Sequence, residues 1–504
     1  MKLAETMHGL KPNSVFEILV QTAGLLILAL IGQTAWSLFD KLRSFPGPIA
    51  AKCSSFWLVQ RCRQTRRSES VMALHRKYGD FVRVAPNHIS INRPEAVAEI
   101  YGHKTGFVKS DFYDAFLQVT PVVFNCRGVP THQRKRKYMN PAFSARALQD
   151  FEPYMDEELR KWQAKLLEMT EGPDQATVLD FAVWTNYLAF DVIGSFAFGK
   201  SFDFISKGRD DINLISTIDM RGEVLNALGA VPVWLRGLMK YNVFDRWWYR
   251  GLRATANLEK IGRAAYHQRK ASPDTRKDLL SYFFAAQRSN SDVSPDELEI
   301  IAESISFIVG GSDTTSSTMT NFIDMVSRDR DLQRRIQMEI DSAYPGQKDE
   351  DWVPSEKEIL QKQPLLLATL REVMRFRPTS ATGLPRLTPK GGKVICGQFI
   401  PEGTVVSVPT CGVLSDSRVF ENPGHFTPDR WLQDDSSALL DFFVPFSIGP
   451  RACIGRNFAW MEILKALVVV FRRFDVQRDT LEATVIREGF FNKAEECKVR
   501  LSRR

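Results

Sequence analysis

The sequence predicts a mainly α-helical protein with a small β region. From about residue 94 to residue 287, apolar residues recur mostly at the spacing of helices. A long helix is also predicted from Pro295 to about Ser327, because a Ser-Pro-Asp-Glu start signal precedes an apolar run. Residues 78–92 and 392–408 instead contain short runs of β-branched residues broken by Pro and Gly turns, which is typical of strands.

The composition allows one large domain and favours two kinds of partner. The chain has 504 residues, of which 44% are hydrophobic, and no linker or repeat divides it after the N-terminus. The net charge of +8 favours an acidic protein or an anionic membrane surface. Nucleic acid is not expected, because the sequence has no zinc-ligand spacing, RNA-binding signature or basic tail. The seven cysteines include no Cys-x-x-Cys pair, which argues against a disulfide framework.

An uncharged apolar stretch, residues 18–39, predicts a single transmembrane helix. At about 1.5 Å per residue it is about 33 Å long, enough to cross a bilayer core. A cleaved signal peptide is the alternative, but the stretch is long for one and no small-residue cleavage site follows. Arg and Lys are denser after the stretch than before it, which predicts a cytosolic main domain. We therefore divide the chain into an anchor with the start of a proline hinge (1–45) and a main domain (46–504).

Cys453 lies in a loop whose neighbours suit a thiolate. Gly449 and Gly455 allow tight turns and close approach to a flat partner, and Arg451 adds positive charge. A single cysteine is more often a buried structural residue, so the surrounding pattern decides. The stretch Phe446-x-x-Gly-x-Arg-x-Cys-x-Gly resembles the haem-binding loop of the cytochrome P450 superfamily at all its fixed positions. The resemblance covers nearly the whole chain and implies a single-domain cytochrome P450 fold, with Cys453 as the axial ligand of the iron of haem b.

The long predicted helix contains Gly310-Gly311-Ser-Asp313-Thr314. Two glycines inside a helix cost about 1 kcal/mol each relative to alanine, and alone they would indicate a flexible or closely packed helix. With the acid and hydroxyl that follow, they resemble the oxygen-activation motif of the superfamily. The resemblance implies that the glycines let the helix widen, that Thr314 holds water or dioxygen, and that Asp313 relays protons. Asp313 and Thr314 are therefore the predicted catalytic residues.

A Glu-Arg-Arg triad is predicted to support the Cys453 loop. Glu372 and Arg375 are three residues apart on one face of a predicted helix, for which an ordinary surface ion pair is the alternative. The superfamily completes Glu-x-x-Arg with an arginine from a Pro-x-Arg segment, and Arg430 matches it. The resemblance implies a structural role without substrate contact.

Haem carries two propionates, for which the resemblance implies cationic partners. His132 and Arg136 fall in the propionate-contacting helix of the family, and Arg386 and Arg451 match two further contacts. A solvated basic face is the alternative for the basic run around Arg136, and its charges could also dock an acidic reductase. Leu414 stands where many relatives carry a histidine, which removes one expected propionate partner.

No Gly-x-Gly-x-x-Gly motif is present, so electrons have to come from another protein. The resemblance to microsomal members implies NADPH-cytochrome reductase as the donor, cytochrome b5 as a second donor, and the endoplasmic reticulum membrane as the location. The implied reaction inserts one oxygen atom from O2 into a small molecule. A haem-thiolate isomerase or dehydratase and a non-catalytic haem-binding sensor are the alternatives, and neither requires the Asp313-Thr314 motif.

The substrate is less defined than the reaction. Segments 108–116, 186–191, 383–386 and 487–490 resemble fungal benzoate para-hydroxylases and related enzymes. By position, we expect the substrate pocket to draw on five mainly apolar segments, residues 111–116, 211–233, 307–311, 380–383 and 490–491. The pocket residues named within them are Phe112, Phe116, Phe307, Gly311, Ala381 and Phe490. An apolar pocket suits a small apolar or aromatic substrate in secondary-metabolite biosynthesis. Detoxification of aromatic acids by benzoate para-hydroxylation is the alternative, although no cation in this set identifies itself as a carboxylate clamp.

Overall fold

The computed structural model describes residue 32 and residues 40–504, except residues 173, 240, 241, 243, 273–275, 290, 348, 350 and 481. Apart from Gly32, the predicted transmembrane stretch 18–39 lies outside the described residues. Within them, the helix Phe181–Phe198 is long and apolar enough to cross a membrane, but 78% of it is buried inside the protein. That burial is typical of a core helix.

Helices form most of the described chain, as the sequence predicts. The α-helices, numbered in chain order, are α1 (Ile49–Cys53), α2 (Phe56–Arg63), α3 (Arg67–Tyr78), α4 (Ala96–Tyr101), α5 (Val129–Met139), α6 (Ala145–Met169), α7 (Phe181–Phe198), α8 (Phe204–Lys207), α9 (Leu214–Ala230), α10 (Val233–Met239), α11 (Arg246–Ala271), α12 (Leu279–Arg288), α13 (Glu297–Ser327), α14 (Arg330–Ala343), α15 (Glu356–Lys362), α16 (Pro364–Phe376), α17 (Thr410–Leu414), α18 (Ser437–Leu440) and α19 (Arg456–Arg473). Short 3₁₀ turns occupy Asp111–Phe116, Asn140–Phe143, Pro428–Trp431 and Gly449–Arg451.

The strands form small sheets beside the helical body. They are β1 (Phe81–Ala85), β2 (His88–Ile91), β3 (Val108–Lys109), β4 (Ala176–Asp180), β5 (Arg386–Leu387), β6 (Lys393–Ile395), β7 (Gln398–Ile400), β8 (Val405–Ser407), β9 (Phe474–Arg478), β10 (Ile486–Glu488), β11 (Asn492–Ala494) and β12 (Lys498–Arg503). The largest sheet has the order β1-β2-β8-β5-β3, with β2 and β8 parallel and its other neighbours antiparallel. A second sheet has the order β4-β12-β9, and β6-β7 and β10-β11 are two-stranded hairpins. The predicted class, mainly α with a small β region, is confirmed.

The helix α13 runs through the centre of the protein. It begins with a capping box, in which the Asp296 carboxylate accepts a 2.7 Å hydrogen bond from the Glu299 backbone N–H. It packs most extensively on α7, which is apolar on nearly all faces, and it also contacts α16 and α19. The central position explains why most side chains of α13 are buried, including many small hydroxyl residues.

The chain is tied to the largest sheet from Asp40 onward. Arg83, on β1, is 1% exposed, and its guanidinium donates a 3.0 Å hydrogen bond to the Asp40 carboxylate. The buried side chains of Leu42 and Phe45 pack in the same apolar cluster as Ile89 of β2. The residues just before the proline segment therefore belong to the packed body.

Candidate active site

A cavity of about 1040 Å³ connects Cys453 with the opposite wall of the protein. Its floor is the Cys453 loop, residues 446–455, and one side follows the middle of α13. Its roof is formed by α9 together with the β10–β11 hairpin. The floor, α13 and the roof are far apart in sequence, so the cavity is a product of the tertiary fold.

The floor holds Cys453 by backbone geometry. The Cys453 backbone N–H donates a 3.0 Å hydrogen bond to the Phe446 carbonyl, which closes the loop. Gly449 has a φ of +70°, and a Cβ at this position would lie 2.1 Å from the Tyr101 carbonyl oxygen. Only glycine fits there without strain or collision. Cys453 lines the cavity with an exposed side chain, so its sulfur is open to a ligand.

Opposing effects act on the Cys453 thiol. Burial raises its pKa, while the Gly455 backbone N–H and the charges of Arg136 and Arg456 act to lower it. The net direction is upward in the protein alone. A bound metal ion deprotonates a coordinating thiol, so the surrounding donors and cations would then stabilise the thiolate.

Four buried or half-buried cations surround the floor and have only neutral hydrogen-bond partners. We call Lys109, Arg136, Arg386 and Arg451 the propionate cluster. Arg451 donates to the Cys126 carbonyl at 2.8 Å, Arg386 to the Tyr113 hydroxyl at 2.7 Å, and Arg136 to the Ala452 carbonyl at 3.5 Å.

Lys109 donates to the Phe124 carbonyl, and its ammonium lies 4.4 Å from the Tyr113 ring centroid. Among the described residues, no carboxylate forms an ion pair with any member of the propionate cluster. A buried surplus of positive charge is costly unless an anion neutralises it. The cluster therefore fits an anionic cofactor such as haem, whose two propionates would supply two negative charges among these cations.

The residues that the sequence links to haem binding differ in their positions relative to the cavity. His132 lines the cavity, and burial, reinforced by the charges of Arg451 and Lys109, lowers its pKa to about 3, so the ring is neutral. Arg386 lies behind the cavity lining, between the rings of Tyr101 and Tyr113. Leu414 is fully buried outside the lining, and its carbonyl accepts a hydrogen bond from Arg375.

The predicted set lacks Lys109, although Lys109 lines the cavity. It stands directly opposite Arg386 in the antiparallel pairing of β3 with β5. A lysine within the aromatic segment 107–116 was the available signal, but the strand pairing that brings it to Arg386 is not visible in the sequence.

Asp313 is buried and takes part in a chain of charges that ends at the half-exposed Asp219 of the roof. Lys493 of β11 lies 2.9 Å from the Asp313 carboxylate and 2.6 Å from the Asp219 carboxylate of α9. Burial raises the pKa of Asp313, an effect that the Lys493 charge opposes. Sequence reasoning did not predict that Lys493 links Asp219 to Asp313, because their elements meet only in the folded chain.

The hydroxyl of Thr314 lies at the cavity wall and donates a 2.9 Å hydrogen bond to the Gly310 carbonyl. The helix is continuous from Glu297 to Ser327, without the expected local widening. The adjacent hydroxyls of Ser312 and Thr315 also donate to the carbonyls four residues earlier, at 2.6 Å each.

The two glycines of this motif have different neighbours. A Cβ at Gly310 would meet nothing within 4 Å, so this glycine leaves space at the cavity wall. A Cβ at Gly311 would lie 2.6 Å from the Ile193 side chain of α7. Gly311 also borders the cavity, but its lack of a side chain serves the packing of α13 on α7.

The Glu372 carboxylate is the centre of a buried network. It forms two 2.8 Å hydrogen bonds with Arg375 and one of 3.2 Å with Arg430. It also accepts from the Thr427 backbone and from the Trp431 indole, at 2.9 and 2.8 Å. Burial acts to raise the pKa of Glu372, but these donors and the Arg375 charge hold it below its ordinary value.

The network is linked to the floor through aromatic packing. The Trp431 ring lies 5.2 Å from the Phe443 ring. Phe443 is three residues before Phe446, the first residue of the Cys453 loop. The structure brings the three charged residues of the triad together, and none of them lines the cavity.

Aromatic rings form much of the cavity wall. Phe116, Phe307 and Phe490 line it, and the rings of Phe116 and Phe490 are 4.9 Å apart. Phe124 and Phe491 also line it. Phe491 belongs to the expected segment 490–491, whereas sequence reasoning did not name Phe124.

Two predicted pocket residues lie behind the wall. Phe112 packs on the backbone of Gly229, where a Cβ would be 2.4 Å from the ring, and beneath Phe116 and Phe490. Ala381 is buried, and its carbonyl accepts a hydrogen bond from the Cys411 backbone. The side chains that face the cavity near it are those of Thr379 and Ser380.

A cysteine open to a cavity and bordered by unneutralised cations defines a haem-thiolate site. The cytochrome P450 family model matches residues 46–500, and the chain belongs to this family. Benzoate 4-monooxygenase bphA of Aspergillus niger is 34% identical over 492 residues, covering 92% of this chain and 93% of the relative. Cytochrome P450 monooxygenase ORF11 of Penicillium roqueforti is 31% identical over 449 residues, covering 86% and 89%. Cytochrome P450 monooxygenase poxM of Penicillium oxalicum is 28% identical over 444 residues, covering 87% and 85%.

The protein is thus a haem-thiolate monooxygenase, an oxidoreductase that acts on small molecules with electrons from a redox partner.

Proposed function

We propose that this monooxygenase hydroxylates a small apolar or aromatic molecule in fungal secondary-metabolite biosynthesis. One observation supports it most directly: a single cavity contains the Cys453 sulfur, the Thr314 hydroxyl, and a wall of phenylalanine rings. An aromatic wall binds an apolar substrate by burial and ring contacts, and excludes water from the reacting atoms.

The residues of the chain then have distinct roles. When bound, the haem supplies the iron centre at which dioxygen is reduced. Cys453 holds the iron as a thiolate, and His132 together with the propionate cluster binds the propionates. The Thr314 hydroxyl orients a water molecule beside the cavity wall. The carboxylate of Asp313 accepts and releases protons, with Lys493 and Asp219 as the next groups of the chain.

The proposal also includes the cofactor, the electron donors and the location in the cell. The cofactor is haem b, and the electron donor is NADPH-cytochrome reductase, with cytochrome b5 as a second donor. The apolar residues 18–39 anchor the protein in the endoplasmic reticulum membrane, with residues 46–504 in the cytosol. Deletion of residues 1–39 should move the protein from the salt-washed membrane pellet to the soluble fraction, and persistence in the pellet would argue against the anchor.

A second candidate is para-hydroxylation of an aromatic acid. It is favoured by the similarity to the A. niger protein, whose name states benzoate 4-monooxygenase activity. Product analysis with aromatic acids and with neutral aromatic compounds would separate the two candidates.

The haem-thiolate assignment is tested by the spectrum of the reduced protein with carbon monoxide. We expect a strongly red-shifted Soret band in the wild type and its loss in Cys453→Ala, because the thiolate ligand is removed. Cys396→Ala is the matched control, since Cys396 is half-buried outside the cavity lining. Absence of the band in the wild type would refute the proposal.

The role of Thr314 is tested by comparing the amount of NADPH consumed with the amount of product formed. Thr314→Ala should keep the Soret band but divert NADPH electrons from product to peroxide or water. Ser304→Ala is the control, because it removes a similar 2.7 Å hydroxyl bond to a carbonyl of α13 outside the cavity lining. Unchanged coupling with the true substrate would refute the role of Thr314.

A further inference from the structure

Arg221 of α9 is a buried cation in the cavity wall without a partner. It is 7% exposed and lines the cavity at the roof. Its Nε is fully buried without a hydrogen bond. Across the described residues, Arg221 forms no hydrogen bond, ion pair or cation–π contact. A buried guanidinium without a counter-ion is destabilising, so its presence requires a compensating interaction.

The other cations of the roof are neutralised by the chain itself. Arg487 forms a 2.6 Å ion pair with Glu223, and Lys493 is held between Asp219 and Asp313. Arg221 lies between Asp219 and Glu223 in the sequence of α9, yet both carboxylates are engaged elsewhere. The roof therefore has one positive charge that no described side chain balances.

Arg221 also stands apart from the propionate cluster. The charges of Arg386 and Arg451 contribute to the lowered pKa of Lys109, which shows that these groups share one region. For Arg221, burial alone lowers the pKa, to about 10, and no neighbouring charge contributes. At neutral pH it remains protonated. Haem propionates bound at the floor would pair with the propionate cluster, so they would not provide Arg221 with a counter-ion.

We propose that Arg221 binds a carboxylate of the substrate at the roof of the cavity, while the aromatic wall holds the apolar part. This inference rests on the proposed monooxygenase function and deepens it by naming the substrate class, apolar monocarboxylic acids. A guanidinium forms paired, charge-assisted hydrogen bonds with a carboxylate, and a single guanidinium matches a single negative charge. Anchoring at the roof would turn the other end of the molecule towards the floor.

The test compares acids with neutral isosteres. The haem-loaded full-length protein is titrated with phenyl-substituted acids, from benzoate to phenylhexanoate, and with the corresponding amides, and binding is followed by the shift of the Soret band. We expect at least one acid to bind about 10- to 100-fold more tightly than its amide, the range of charge-assisted hydrogen bonds. Arg221→Gln should weaken that acid by a similar factor and change the amide less than about threefold.

Arg221→Lys should retain part of the preference, because it keeps the charge but loses the paired geometry. Arg500→Gln is the control, since Arg500 is exposed on β12 outside the cavity lining. Equal binding of all acids and amides by the wild type, or an acid preference that persists in Arg221→Gln, would overturn the inference. If Arg221→Gln does not fold, the comparison of acids with amides in the wild type and in Arg221→Lys still tests the inference.

The two proposals fail in different ways. A wild-type protein without the red-shifted carbon monoxide band would refute the monooxygenase function itself. A protein with the band but without preference for acids would refute only the role of Arg221.

Discussion

The floor and the roof of the cavity balance charge in different ways. The floor is bordered by four cations whose hydrogen-bond partners are all neutral, and it rests on a network in which Glu372 is satisfied from several sides. In the roof, the chain pairs Lys493 and Arg487 with its own carboxylates and leaves Arg221 without one. The floor is thus prepared for a cofactor with two negative charges. The roof offers a single charge, which can select among ligands.

The largest expected effect breaks the support of the floor. Glu372→Gln leaves Arg375 and Arg430 buried without a counter-ion, and we expect a loss of about 3–5 kcal/mol in unfolding free energy with loss of bound haem. Urea denaturation and haem content measure it. Glu168→Gln is the matched control, because Glu168 and Lys165 form an exposed helical pair with the same i,i+3 spacing, worth less than about 1 kcal/mol. Similar losses in both variants would remove the distinction between network and surface pair.

A second prediction concerns Glu462, a carboxyl group that lacks the hydrogen-bond partners found around Glu372. This carboxyl group on α19 is fully buried, and neither oxygen has a hydrogen-bond partner among the described residues. Burial raises its pKa well above the ordinary value of 4.5, although the Thr315 hydroxyl acts in the opposite direction. The folded protein thus keeps a proton that the unfolded chain releases above about pH 4.5, so this group reduces stability as pH rises.

Glu462→Gln should remove that pH dependence. The stability of the wild type relative to the variant should fall as pH rises from 5 to 7, by up to about 1.4 kcal/mol per pH unit while the folded group keeps its proton. Parallel denaturation curves across this range measure the difference. A constant difference would show that Glu462 ionises in the folded protein at its ordinary pKa.

The smallest expected effect separates the two glycines on the side of the cavity. Gly311→Ala forces a Cβ against Ile193, and we expect a loss of about 1–2 kcal/mol from overpacking. Gly310→Ala meets open space and should gain up to about 1 kcal/mol in helix stability. Thermal unfolding measures both effects. Gly310→Ala should also change the affinity for substrate, because the added methyl group occupies space at the cavity wall. Equal destabilisation would show that the helix needs both glycines for its shape.

The sequence could predict the floor better than the roof. Glu372 and Arg375 are near each other in sequence, and the residues around Cys453 form one continuous loop, so a short motif describes each. The pairing of β3 with β5 and the approach of α9 to β11 depend on the whole fold. Lys109 and Lys493 were therefore not recognisable as cavity residues. Arg221 lies in the expected pocket segment 211–233, but the sequence did not show that it is a cation without a partner.

Burial also distinguishes residues that the sequence pattern groups together. Phe112 and Phe116 lie on the same short 3₁₀ turn, but only Phe116 lines the cavity, because Phe112 fills the space above Gly229. The widening expected at Gly310-Gly311 is absent from the continuous helix, in which three hydroxyls bond to carbonyls four residues earlier. Such side-chain bonds are compatible with the sequence motif but are not determined by it.

The Asp40–Arg83 contact has a practical consequence for producing a shortened, soluble form. The family match begins at residue 46, which makes that position an obvious place to start such a protein. A start there would remove Asp40, the partner of a guanidinium that is 1% exposed, together with the buried side chains of Leu42 and Phe45. A start at residue 39 or 40 would discard the apolar stretch and retain the contacts that fasten the first sheet.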